Sequence, residues 1–209
     1  MALATYSDLL ASIADWLKRD ELTAVIPDFV TLAESKIYRL LRIREMEEPL
    51  SSTIASGTIP VPSDYTDLGY AYLNTSPICI LERKPASWIY EQYPVRSSSG
   101  RPGFIAREAN TFIFGPYPDS NYVVKGIYYK RLAPIATTLN TIFTQNPGLW
   151  LYGSLLQAEG YTRNDPAVES MLQIWKIGFD EEMRTVKESY EREHSMPGKM
   201  AVRGRGWMP

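Results

Sequence analysis

Tyr6-Ser7-Asp8-Leu9-Leu10-Ala11-Ser12-Ile13-Ala14-Asp15-Trp16-Leu17 and, after a short break, Ile26-Pro27-Asp28-Phe29-Val30-Thr31-Leu32-Ala33-Glu34-Ser35-Lys36-Ile37-Tyr38-Arg39-Leu40-Leu41-Arg42 carry the reading that decides the fold. In the first stretch Leu9, Leu10, Ile13, Trp16 and Leu17 recur at helical spacing and predict one apolar stripe. Ser7 stands where an N-cap is expected, and Leu22 to Ile26 form the break. Pro27 suits the first turn of the second helix, where its missing N–H removes no hydrogen bond. That helix is expected to turn Phe29, Leu32, Ala33, Ile37, Leu40 and Leu41 inward and Glu34, Lys36, Arg39 and Arg42 outward.

Helical spacing returns near the other end of the chain. Pro147 to Tyr161 places Leu149, Tyr152, Leu155 and Leu156 on a core stripe. Asn164-Asp165-Pro166 then opens a last helix, with Val168, Met171, Leu172, Trp175, Phe179, Met183 and Val186 as its apolar face. Between these ends the period changes. Glu48 to Ala55, a Ser56-Gly57 turn and Thr58 to Val61 read as a strand and its return, with Pro60 and Pro62 keeping the return short or at an edge. Asp67 to Leu73 and Ile78 to Arg83 are further strands, and Pro85 to Tyr93 is a short helix. Ser97 to Gly103 is the clearest loop. Phe104 to Arg107, Thr111 to Phe114 and Tyr122 to Arg131 make a meander, with a bulge expected near Gly126. Pro134 to Thr144 is a polar connector.

These elements predict an α+β fold. Residues 1–44 and 146–194 form an antiparallel helical bundle, 45–145 an inserted antiparallel β-unit with a short helix near 85–93, and 195–209 an extended C-terminal arm.

The 209 residues suffice for a sizeable core, and a formal charge of −2 does not announce a nucleic-acid binder. The 14 tyrosines and 15 prolines suit irregular β-structure and amphipathic surfaces better than a plain helical bundle. No apolar run approaches the ~18 residues of a membrane span. Met1 leads into amphipathic sequence without a signal-peptide pattern, so synthesis in the cytoplasm is expected.

Catalytic chemistry finds little purchase. Cys79 is a lone cysteine in an apolar strand-like run, read as a buried hydrophobe, and His194 is a lone histidine ending a charged helix, without a nucleophile nearby. One Cys and one His do not make a transition-metal site. Asp180, Glu181 and Glu182 point about 100° apart on a helix and read as a solvated face. Gly100-Arg101-Pro102-Gly103 lacks the Gly-Lys-Ser/Thr of a phosphate loop, and Asn74-Thr75-Ser76 reads as a turn. No catalytic, cofactor or metal residue is assigned, and an enzyme is not expected.

The tail from Ser195 to Pro209 carries Lys199, Arg203 and Arg205 without an acid, together with Met196, Met200, Val202, Trp207 and Met208. Its glycines and prolines exclude a continuing helix. Such a segment reads either as a disordered terminus or as an arm that orders against an acidic, grooved partner. Three cations would support contact with DNA phosphates only feebly.

The order of short motifs is more specific than any of them. Tyr6-x-Asp8-Leu9, Ile13-Ala14-Asp15-Trp16-Leu17, Ile26-Pro27-Asp28-Phe29, Leu32-Ala33-Glu34 and Leu40-Leu41-Arg42 are followed by Val61-Pro62-Ser63-Asp64-Tyr65, Leu73-Asn74, Gly100-Arg101-Pro102, Phe114-Gly115-Pro116 and Leu151-Tyr152-Gly153. This series resembles the head-to-tail adaptor proteins of tailed bacteriophages, best known from short-tailed phages. The resemblance implies a structural virion protein at the head–tail interface. It implies self-assembly into a ring, a dodecamer, below the portal protein, with a tail or nozzle protein beneath and the genome DNA passing through the channel without sequence-specific binding. It further implies that the C-terminal arm docks into the portal ring, through Met200, Arg203, Arg205, Trp207 and Met208. Channel-facing acids would come from Glu45, Glu47 and Glu48 or from the last helix. Two rival readings are a tail-associated module recognising a host glycan or receptor through the aromatic β-unit, and a cell-wall hydrolase using scattered acids such as Glu82 and Asp119.

Overall fold

Thr5, rather than Ser7, caps the first helix. Its extended backbone lets Oγ1 accept the Asp8 N–H at 3.1 Å while Asp8 Oδ2 accepts the Thr5 N–H at 3.0 Å. This reciprocal box satisfies two donors at the start of the helix, an advantage Ser7 would lack without an acid three residues on. The structure, a computed structural model, describes residues 3–95, 98–162 and 166–194. It divides the chain into two compact units, one formed by the chain up to Leu41 and from Pro134 onward, the other by Arg42–Ala133.

In the first unit α1 (Tyr6–Leu17) buries Leu9, Ile13 and Leu17, while Leu10 is half-buried and Trp16 exposed. A left-handed Lys18 ends it. Then α2 (Ile26–Leu40) starts with Pro27 in its first turn, as expected, but its buried face is rotated. Val30 and Tyr38 point inward with Phe29, Ala33 and Ile37, whereas Leu32 and Leu40 are exposed. Glu34, expected outward, is only 6% exposed. Its carboxylate is satisfied there: Oε1 accepts the Tyr38 O–H at 2.8 Å and the Ile135 N–H at 2.9 Å, and Asn140 Nδ2 donates to the Tyr38 oxygen at 2.9 Å. A buried carboxylate is tolerated when hydrogen bonds replace its water, and these tie α2 to the returning chain.

The second unit is a sandwich. Its strands are β1 (Glu47–Thr53), β2 (Thr58–Pro60), β3 (Tyr65–Leu73), β4 (Cys79–Ile80) and β5 (Glu82–Arg83). After the short helix α3 (Ala86–Gln92) come β6 (Ser99–Gly100), β7 (Phe104–Glu108), β8 (Thr111–Gly115), β9 (Tyr117–Pro118) and β10 (Val123–Lys130). One sheet runs β1-β10-β3-β4 and the other β2-β8-β7-β5, while β6 and β9 form a parallel pair. Leu50, Ala71, Leu73, Val124 and Tyr128 of the first sheet meet Ile59, Ile105, Phe112 and Phe114 of the second. On the other side of β8, Ile113 packs with Ala106 against Ile89 of α3, so this strand is buried on both faces.

Sheet membership corrects three expectations. The turn at Ser56-Gly57 is present, with both residues at positive φ, but beyond a single bridge between Ala55 and Thr58 the flanking strands part into different sheets. The strand read over Ile78 to Arg83 is interrupted at buried Leu81, which leaves β4 in one sheet and β5 in the other. Likewise β7 and β8 form a hairpin in the second sheet while β10 crosses to the centre of the first, so no meander links the three. The cause is shared: a sandwich needs two apolar inner faces, and the chain distributes its strands between them. The expected bulge lies one residue beyond Gly126, between Ile127 and Tyr128, with a second shift between Tyr129 and Lys130.

The chain returns to the first unit through Pro134 and α4 (Thr141–Gln145), capped by Asn140, whose Oδ1 accepts the Phe143 N–H at 2.8 Å. The connector read as polar therefore contributes Ile135, Ile142 and Phe143 to the core. In α5 (Pro147–Gln157) Leu149 and Leu155 are buried as expected and Tyr152 and Leu156 half-buried, but Trp150, Leu151, Gly153 and Ser154 are buried too. The helix packs against α1, α2 and the last helix, and a helix with neighbours on several sides is apolar around its circumference rather than striped. After α6 (Glu159–Thr162), α7 (Pro166–His194) presents Val168, Trp175, Phe179, Met183 and Val186 to the core. The N- and C-terminal helices thus pack together, and the sequence between them forms mainly antiparallel sheet, an α+β fold.

Candidate docking surface

The sheet β1-β10-β3-β4 has one face in the sandwich core, and strand alternation gives the other to solvent. Register lines the outward side chains in two rows. Pro49, Ile127 and Tyr70 are cross-strand partners, and so are Ser51, Lys125, Tyr72 and Ile80. The result is a shallow groove of about 560 Å³ between Pro49, Tyr70, Tyr72 and Ile127. The Tyr70 and Tyr72 rings stand 5.8 Å apart. Tyr70 is 44%, Ile127 40% and Ile80 61% exposed, an unusual density of apolar side chains for one solvent face. Lys125 stands in the middle of the second row, with no carboxylate partner among the described residues.

A second apolar surface lies on α7, out of phase with its core stripe. Met171, Ile174 and Ile177 are 45%, 61% and 58% exposed and follow one another at three-residue spacing. Glu181, seven residues after Ile174, continues the same face, and its carboxylate also has no cationic partner among the described residues.

The remaining candidates are placed as follows. Met200, Arg203, Arg205, Trp207 and Met208 lie outside the described residues. Glu45 is exposed in a 3-10 turn at Arg44–Met46, and Glu47 and Glu48 begin β1, where Glu48 accepts Lys130 Nζ at 2.6 Å. Asp180 and Glu181 are exposed, and Glu182 is half-buried beside Gly148. Glu82 pairs with Lys84, and Asp119 accepts the Tyr122 O–H at 2.7 Å. Cys79, expected to be buried, is half-buried against the sandwich core, its Sγ 3.5 Å from the Pro102 carbonyl. The Asn74-Thr75-Ser76 turn is held from outside by Arg101, which donates to Thr75 Oγ1 at 2.6 Å. His194 closes α7.

Perturbed ionisation follows structural roles. Burial, with a hydrogen bond to Asp64 at 3.0 Å, pushes the Tyr128 hydroxyl up to about 12. Burial also raises Tyr65, and raises Tyr6 with help from Glu34 and Asp28, while the Thr5 hydrogen bond holds the Asp8 carboxyl below its ordinary value. Among the described residues no cluster of His, Cys, Asp and Glu is arranged to hold a metal ion, and no helix is long and apolar enough to cross a membrane.

Sequence reading missed both surfaces. Tyr70 and Tyr72 share a parity opposite to Ala71 and Leu73, which is the signal for an outward row. Ile174 and Ile177 fall off the Trp175–Phe179 stripe, which is the signal for a second face. The arrangement offers two apolar surfaces, each with a charge that lacks an ionic partner among the described residues, and fits protein association.

A family model described as SU10 adaptor protein matches residues 4–203. No curated protein matches the chain.

Proposed function

The chain belongs to the SU10 adaptor protein family, a phage adaptor family with a structural role, and from that premise we propose that it forms the ring that joins the portal to the tail. The match over almost the whole chain carries this reading. Adaptors bind other virion proteins; for this chain the partners are the portal protein above, a tail or nozzle protein below, and its own copies in a dodecamer. The ring continues the channel through which the genome DNA passes, and Glu45, Glu47, Glu48 and the acids of α7 are the candidates for its lining, since carboxylates repel phosphate.

Docking to the portal is the work of the C-terminal arm. Its cations suit an acidic groove, and Met200, Trp207 and Met208 are the apolar anchors around which Arg203 and Arg205 make polar contacts. The test is co-sedimentation with the portal ring of the same phage, comparing the full chain with one ending at His194. The full chain is expected to co-sediment and the shortened chain to stay in solution. Equal binding by both would move the docking surface to the folded units. Binding by neither would overturn the portal-adaptor reading.

A further inference from the structure

We propose that the two apolar surfaces are the halves of one contact between copies of this chain: the outer stripe of α7 in one copy lies in the groove of the β1-β10-β3-β4 sheet of the next, with Glu181 against Lys125. The inference rests on the ring reading and names the residues of its contact. Three observations favour a second copy as the occupant. The groove spans β1, β10 and β3, two strand spacings or about 10 Å, which is the width of one helix. The chemistry is complementary, since Met171, Ile174 and Ile177 offer aliphatic side chains to Tyr70, Tyr72 and Ile127, and each surface carries one charge, of opposite sign, without an ionic partner among the described residues. Finally, the two surfaces differ from one another, as a ring demands: cyclic assembly beyond a dimer joins one patch of a subunit to a different patch of its neighbour. A sugar partner is disfavoured, because Ser51 and Lys125 are the polar neighbours of the tyrosines while Pro49, Ile80 and Ile127 are apolar, fewer polar side chains than a sugar would need.

Charge reversal tests the contact. Lys125→Glu and Glu181→Lys are made singly and together in the full chain, with melting curves confirming that each variant folds. Assembly is followed by sedimentation of the protein alone and on the portal ring. Each single variant is expected to weaken subunit association by about a hundredfold, as for a charge pair excluded from water, and the double variant to regain assembly. An equal mixture of the two single variants should also assemble, because unlike copies alternating around an even-numbered ring restore opposite charges at every contact. Single variants that assemble like the unaltered protein, or a double variant as defective as its parents, would overturn the contact while leaving the ring reading in place. A mixture that fails where the double variant succeeds would overturn the head-to-tail arrangement. An unaltered protein that forms no ring, alone or on the portal, would overturn the ring reading and this contact with it.

Discussion

Ser154 and Trp150 lie one helical turn apart on α5, both fully buried, and neither the hydroxyl nor the indole N–H has a hydrogen-bond partner among the described residues. A buried hydroxyl without a partner costs its lost hydration and returns nothing. Ser154→Ala is therefore expected to raise stability by about 1 kcal/mol, which urea denaturation would measure. Glu34 is the opposite case. Truncation to Ala would leave the Tyr38 hydroxyl and the Ile135 N–H buried without their acceptor, and a loss of about 3 kcal/mol is expected in the same assay. Glu34→Gln keeps an acceptor oxygen and should lose less. Neither role was legible in the sequence. An acid in an amphipathic helix reads as outward unless its partner is known, and here one partner is the backbone N–H of Ile135, a hundred-odd positions away.

At the scale of elements, what could be read was what is local. The start of α2 with its buried Phe29, Ala33 and Ile37, the extent of α3 and most of the inner face of α7 follow from spacing and from Pro27, because a helix satisfies its own backbone. Strands were located well and partnered badly, because a strand's partner is chosen by distant residues: β10 lies between β1 and β3, and β4 and β5 separate at Leu81. One residue still marks the closest approach. A Cβ at Gly126 would land on the carbonyl oxygen of Tyr70 in the neighbouring strand. Gly126→Ala must push β10 away from β3 in the centre of the sheet. It is expected to lower stability by about 2 kcal/mol or more and to loosen the Tyr70–Tyr72 row, seen as faster amide exchange along β3.

For the whole molecule, the sandwich has a core running from Leu50 to Tyr128, and the helical unit buries residues from Leu9 to Leu41 and again beyond Pro134. Exposed terminal arms contribute little to a core, so the chain ending at His194 is expected to melt within a degree or two of the full chain while losing the portal. The candidate arm was legible only as composition and by resemblance. The two apolar surfaces became legible only once register and helix phase were fixed.

Residues 42–133 interrupt the sequence of the helical unit, and this sets an order in time. During synthesis α1 and α2 leave the ribosome first, yet α5, against which both pack, is made only after the entire sandwich. The sandwich can close as soon as β10 emerges, whereas the opening helix pair must wait with Phe29, Val30 and Ile37 uncovered until the final third of the chain arrives. Birth order and maturation order are thus reversed. In an infected cell making many copies at once, the interval between those two events is when a nascent chain is most exposed to sticking to its neighbours.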